Sequence, residues 1–289
     1  MSLAELIPLL LKASIIGMVF SIGLRASIAD ATTSFRHPAN LLKGTAAMFL
    51  VMPLVAVALI KGLNPLAPTG IILVATALSP VPPILPNKEL KAGVGMGRAV
   101  GSLVASSVVA LLLIPVGMPL IGSWFGLDLA VPLGPAVSLV MATILVPLAA
   151  GVLLKTLAPG LADKLAPTMG KASAVILLLA LVPVLIQLGP AMWAQVGGLT
   201  VLAFLLFAVI GVGVGHWMAG DDPDAKTVLA ISTASRHPAL AAALATAARP
   251  EAEGILPAAV LYLLISVVVT GIYLALRRKG GDAAELSPA

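Results

Sequence analysis

Apolar residues run along this chain in blocks of roughly 20, the number a helix needs to cross a hydrocarbon layer ~30 Å thick, and polar positions collect between the blocks. The pattern predicts nine spans: Ile7 to Ser27, Gly44 to Ile60, Thr69 to Leu90, Val94 to Val116, Val131 to Leu154, Ala172 to Leu188, Gly197 to Met218, Lys226 to Ala247 and Gly254 to Leu276. No other open structure satisfies its own backbone in lipid, so each span is expected to be helical and the fold all-α. Composition agrees, since 60% of residues are hydrophobic, 10% are charged and the mean hydropathy is +1.12, which excludes a soluble domain.

The charges set the topology. With the amino terminus outside, the cytoplasmic side receives Arg25, Arg36, Lys43, Lys88, Lys91, Arg98, Lys155, Lys164, Lys171, Lys226, Arg277, Arg278 and Lys279, and the outer side only Lys12, Lys61 and Arg249. That asymmetry is what the positive-inside rule requires, and an eight- or ten-span reading scrambles it. The chain is expected in the plasma (inner) membrane, with its carboxyl terminus cytoplasmic. The net charge of +5 therefore reports topology rather than a nucleic-acid partner. Absence of cysteine removes disulfides, thiol nucleophiles and thiolate metal sites, and no metal site or cofactor is expected. The first span has no basic start, carries Lys12 within its run, and is read as a mature helix rather than a cleaved signal. The polar tail from Gly280 to Ala289 is expected to be disordered.

Two spans are broken near their middles. The third contains Pro80, Pro82, Pro83 and Pro86, and proline removes a backbone donor and clashes with the preceding turn, so one helix cannot continue through them. The eighth contains Ser235-Arg236-His237-Pro238. Spans one to four and six to nine each carry the broken member third and start on opposite sides of the membrane. This is the pattern of an inverted-topology repeat, in which paired discontinuous helices cross and form a site at the bilayer midplane.

Arg236 interrupts an apolar segment, and a charge at that depth costs at least ~2.5 kcal/mol, which marks a functional position. Two roles are open to it. The guanidinium can tie the breaks together by donating to their carbonyls, or it can grip a carboxylate, sulfonate or phosphate beside the half-helix that starts at Pro238. The expected anion-binding set is Arg236, His237, Ser235, Thr233, Ser232, Ser79 and Asn87. His237 is either a proton carrier or a hydrogen-bonding neighbour of the arginine. Every acidic residue falls at a loop, end or tail except Glu89, which lies between Lys88 and Lys91 near the end of the third span, so no carboxylate is expected at mid-depth. The echo Arg36-His37-Pro38 falls between spans and is set aside as chance. No catalytic set converges, so the chain is not read as an enzyme. One asymmetric arginine suits a carrier better than a channel or facilitator for small anions, which remains the rival class.

The turn Phe35-Arg36-His37-Pro38, the segment Met48 to Leu54, the Ser79-Pro80 break and the run from Asp224 through Ser235 to Ala245 resemble the bile acid:sodium symporter family over nearly the whole chain. The resemblance implies secondary transport of an organic anion by alternating access, with a panel (7–27, 131–154, 172–188) packed on a core (44–60, 69–116, 197–276). It also implies a lipid bilayer partner and substrates such as bile acids, steroid sulfates and pantoate-like acids. Where sodium-coupled members carry a glutamate and, four residues on, a glutamine as sodium ligands, this chain has Ser232 and Arg236. Where they carry a glycine pair and a serine-asparagine pair, it has Val81-Pro82 and Leu85-Pro86. The familiar sodium sites are therefore expected to be lost, with sodium or proton coupling through an atypical site as the alternative.

Overall fold

The structure is a computed structural model and describes residues 3–285. Among these residues it is helical with no strand. The helices are α1 (Leu3–Gly23), α2 (Ile28–Arg36), α3 (Pro38–Ala46), α4 (Met52–Leu63), α5 (Ala67–Leu78), α6 (Leu85–Lys91), α7 (Met96–Ser123), α8 (Leu133–Val140), α9 (Val146–Leu157), α10 (Pro159–Ala194), α11 (Thr200–Met218), α12 (Pro223–Ala234), α13 (Pro238–Ala248) and α14 (Ile255–Glu285). Seven helical stretches among the described residues are long and apolar enough to cross a membrane.

Proline placement explains many of the boundaries. Pro38, Pro68, Pro86, Pro159, Pro223 and Pro238 each stand in the first turn of a helix, where the missing N–H has no intrahelical partner to lose. Two prolines act differently. α3 runs into α4 through a π-turn at Ala47–Val51, and α8 runs into α9 through another at Met141–Leu145. In the first, the Met52 N–H donates back to Ala47, while Pro53 has no N–H to give to Met48. The Met48 carbonyl is thereby left open to a partner from elsewhere. Pro147 stands in the same relation to the second turn, where Val146 donates to Met141.

The helices depart from the expected spans at several ends. α1 stops at Gly23, and Ser27, expected inside the first span, instead caps α2, accepting from the Asp30 N–H at 3.1 Å while its own N–H donates to Asp30 Oδ2 at 2.8 Å. α7 continues past Val116 to Ser123, and α10 begins at Pro159 and absorbs the whole stretch ahead of Ala172. Both helices contain internal prolines, which membrane helices tolerate when neighbours satisfy the freed groups. The tail is also corrected: α14 carries on to Glu285, and the rest of the expected disorder, 286–289, lies outside the described residues.

Small residues let the helices meet at backbone distance, as membrane interfaces require. α1 packs on α9 and α10. A Cβ on Gly23 would stand 2.4 Å from the Leu148 carbonyl, and Ser21 Oγ donates to the Ala166 carbonyl at 2.8 Å. α11 packs on α12 in the same manner, since a Cβ on Gly215 would lie 2.3 Å from the Leu229 carbonyl. The main apolar core joins α5, α7, α11, α13 and α14 around Ile72, Leu73, Leu103, Phe204, Phe207 and Tyr262. Charged groups gather by end. One end holds Arg25 with Asn87 (2.9 Å), Arg98 with Asp222, and Arg277 on the Pro223 carbonyl (3.1 Å); the other holds Lys61 over the Phe125 ring (5.7 Å) and Arg249 with Glu251.

Candidate transport site

Two helical interruptions, 79–84 between α5 and α6 and 235–237 between α12 and α13, meet in the interior. The His237 N–H donates to the Pro80 carbonyl at 2.9 Å, joining one break directly to the other. Broken ends inside a membrane protein must find partners for their backbone groups, and most of these partners are identifiable. Around the first break, Ser79 Oγ donates to the Ala75 carbonyl at 2.7 Å, the Ser79 N–H to Thr76 at 3.0 Å and the Val81 N–H to Ser106 Oγ at 3.3 Å. Around the second, the Ser235 N–H donates to Ile231 at 2.8 Å, and Tyr262 of α14 donates its hydroxyl to the Ala234 carbonyl at 2.5 Å.

Arg236 sits at this junction, 1% exposed. Its Nη2 donates to the Ala77 carbonyl at 2.7 Å and to the Met48 carbonyl, the one that Pro53 leaves open. Its Cζ stacks on the Phe49 ring, 5.0 Å from the centroid. Nε and Nη1 are buried with no hydrogen-bond partner. The same guanidinium thus ties the π-turn to the end of α5 and keeps two donors unspent.

The other expected residues divide by role. His237 caps α13: its Nδ1 accepts the Leu240 N–H at 3.2 Å, so Nδ1 carries no proton in this arrangement, and Nε2 is buried without a partner. Thr233 Oγ1 donates to the Leu229 carbonyl at 2.6 Å, a local bond within its own helix. Ser235 is buried at the break. Ser232 contacts Ser102 Oγ at 3.3 Å and donates to Glu89 Oε1 at 3.3 Å. Asn87 is partly exposed and accepts from Arg25. The structure brings Ser79, Arg236 and His237 together at the crossing of the breaks, and holds Asn87 apart from them.

Glu89 corrects an expectation. Its flanking lysines suggested an interfacial carboxylate, yet the side chain is fully buried and reaches α12 one turn before Arg236, with Oε2 lacking any hydrogen-bond partner. α6 is short and packs on both α7 and α12, which turns Glu89 inward while Lys91 stays exposed.

A cleft of about 370 Å³ opens beside this junction. Its walls include Thr33 from α2, Asn40 and Lys43 from α3 and His37 between the two, Met48 and Phe49 from the π-turn, Arg98, Ser102 and Ser106 from α7, and Asp222 before α12. None of the seven expected site residues lines it. Its one carboxylate, Asp222, is held by Arg98 and caps α12 by accepting from the Asp224 and Ala225 N–H groups, both at 3.0 Å. The Arg98 hydrogen bond, followed by those cap bonds, pushes the Asp222 carboxyl down to about 2. With that pair neutralised, Lys43 leaves the cleft walls positively charged. His37 echoes His237 in position, each at the junction just before a helix-starting proline, a likeness with a local cause in the X-Pro helix start. Among the described residues no group of three or more His, Cys, Asp or Glu side chains could hold a metal ion.

A comparison with curated proteins finds no match. A family model does match, over residues 13–194, a stretch that runs from α1 to the end of α10 and includes the first break but not the second. The matched stretch is well over half of the chain, and on that ground the protein, an integral membrane protein of apolar helices, belongs to the sodium bile acid symporter family.

Proposed function

We propose that this chain is a secondary transporter that moves an organic anion across the plasma membrane by alternating access, without the usual sodium sites. The observation that carries the reading is the buried guanidinium of Arg236, with two free donors behind Phe49, a residue of the cleft wall. In this reading the spans number nine, with α5–α6 and α12–α13 forming the third and eighth as the broken, inverted members, and the junction lies at the midplane. The panel comprises α1, α9 and α10, which pack on one another, and the remaining spans form the core. The basic end of the bundle is cytoplasmic, with the amino terminus outside.

An anion enters the cleft toward Lys43 and the hydroxyls of Thr33, Ser102 and Ser106, and displacement of the Phe49 ring exposes Nε and Nη1 of Arg236 to it. Ser232, Thr233, Ser235, His237 and Ser79 complete the expected set around the path, and Asn87, bound to Arg25, stands outside it. Nη2 meanwhile takes the place of a metal cation: it occupies two carbonyls from separate elements, the kind of oxygen ligand a monovalent ion needs. A sodium ion within ~4 to 6 Å of the guanidinium is repelled by several kcal/mol even at an effective dielectric near ~20.

Counterflow tests the carrier reading against a channel. A panel of bile acids, steroid sulfates and small hydroxy acids is first screened for thermal stabilisation of the purified protein. Proteoliposomes preloaded with an unlabelled stabilising acid should then take up the labelled acid faster than empty ones. Equal rates indicate an open pore, and no stabilisation by any member of the panel removes the anion assignment.

A further inference from the structure

Glu89 has no part in the anion path described above, yet it is the most completely buried carboxylate the structure shows, at 0% exposure. Its Oε1 accepts from Ser232 Oγ at 3.3 Å, and Ser232 Oγ lies 3.3 Å from Ser102 Oγ. Ser102 in turn lines the cleft. A continuous row of oxygens therefore leads from the cleft wall to a carboxyl group that is itself fully buried.

Among the charged groups on the surrounding elements, Arg98, Arg25 and Lys226 are held by other partners. On α7, Arg98 is paired with Asp222; Arg236, one turn beyond Ser232, gives Nη2 to the Met48 and Ala77 carbonyls, while its Nε and Nη1 reach no acceptor; Arg25, beside α6, is bound to Asn87. Lys226 and Asp224 belong to the opposite end of α12, where Lys226 pairs with Asp221 at 3.9 Å. On α6 itself Lys88 is half-buried and Lys91 is exposed. An ionised carboxylate removed from water needs a compensating charge or a full set of donors, and Oε2 has no donor at all.

We propose that Glu89 is a proton-binding site loaded from the cleft through Ser102 and Ser232. A proton from cleft water passes to Ser102 Oγ, whose own proton passes to Ser232 Oγ, whose proton passes to Glu89 Oε1. Each hydroxyl gains one proton and yields one, and the carboxylate becomes a neutral acid. In that state Oε1 donates to Ser232, reversing the bond, and Oε2 becomes a neutral carbonyl oxygen for which a missing donor costs far less than a missing counter-charge. On the anion-carrier reading, a proton bound here moves with a monovalent anion and cancels its charge. The proton binding itself does not depend on that reading.

Infrared difference spectroscopy of the full-length protein in lipid, with no organic anion present, tests the site independently of transport. Acidification should raise a carboxylic-acid carbonyl band that is absent in Glu89→Gln and shifted in Ser232→Ala, where the hydrogen bond to the acid is lost. Ser102→Ala should keep the band and slow its appearance after a pH jump. Replacing choline by sodium should leave the band unchanged. A full band in Glu89→Gln, or a band abolished by sodium, overturns the proposal. Should Glu89→Gln fail to fold, the Ser232→Ala spectrum decides, since a band insensitive to that change belongs to another carboxyl.

Discussion

At the residue scale, the features that matter most are single side chains whose surroundings contradict their polarity. Arg236 announces itself in the sequence because it breaks an apolar run, and the geometry leaves both roles open to it: Nη2 is spent on the fold, while Nε and Nη1 are not. That division changes what a mutation should do. Viewed as an uncompensated charge, Arg236 should be removable at no cost. Viewed with its partners, Arg236→Ala orphans two buried carbonyls, each worth ~1–3 kcal/mol, and should lower the melting temperature as well as abolish stabilisation by the anion. Arg236→Lys, with one ammonium in place of a planar fork, should recover part of the stability and little of the anion response. Paired melting curves with and without the anion separate the two effects; an Arg236→Ala protein that keeps its full anion-induced shift removes the arginine from the binding site. Glu89 was not legible, because its lysine neighbours mark it as interfacial and its burial depends on how a seven-residue helix is seated. Tyr262 was missed for a related reason: nothing local says that its hydroxyl serves the last turn of α12.

At the scale of elements, the breaks were readable and the π-turns were not. Clustered prolines in the third span and the polar group in the eighth state that a helix stops. By contrast, Pro53 and Pro147 sit in otherwise ordinary apolar runs, and only the structure shows the turn before each widening by one residue. Without that widening the Met48 carbonyl would have a helical partner and Arg236 would lose one of its two anchors. The seating of α12 depends on Gly215. A Cβ there meets the Leu229 carbonyl and the Ala230 Cα, backbone atoms that cannot rotate away. Gly215→Ala should therefore force α12 from α11, costing ~1–3 kcal/mol by overpacking and displacing the second break. Unchanged melting and anion response in Gly215→Ala would show that the contact is not needed.

The start of α12 carries a further dependence on pH. Asp222, at the loop before the helix, has its carboxyl pulled down to about 2 chiefly by Arg98. A carboxyl that titrates lower in the folded than in the unfolded state stabilises the fold above its unfolded value, and that contribution fades as pH falls toward the folded one. Melting temperatures of wild type and Asp222→Asn should thus differ most above about pH 4 and converge as the pH approaches about 2. A gap that stays constant across that window would mean that the Arg98 pair contributes nothing to the fold.

For the whole molecule, the hydropathy pattern predicted an all-helical membrane protein, and chain order predicted where the interruptions fall. The cleft was beyond reach, because its walls come from α2, α3, α7 and the segment before α12, brought together only by packing. The sequence places His37 and Lys43 between or at the edge of spans, with no sign that they face a common space. On the function proposed above, a guanidinium stands in for the ion in a member of a family named for sodium. The most direct test is the melting temperature of the purified protein against the organic-acid panel, with sodium present or replaced by choline. An acid should stabilise the protein equally in both, by the shift that mass action gives for its affinity. Stabilisation that appears only with sodium would contradict it, and would mean that oxygens other than the Met48 and Ala77 carbonyls hold a sodium ion beside Arg236.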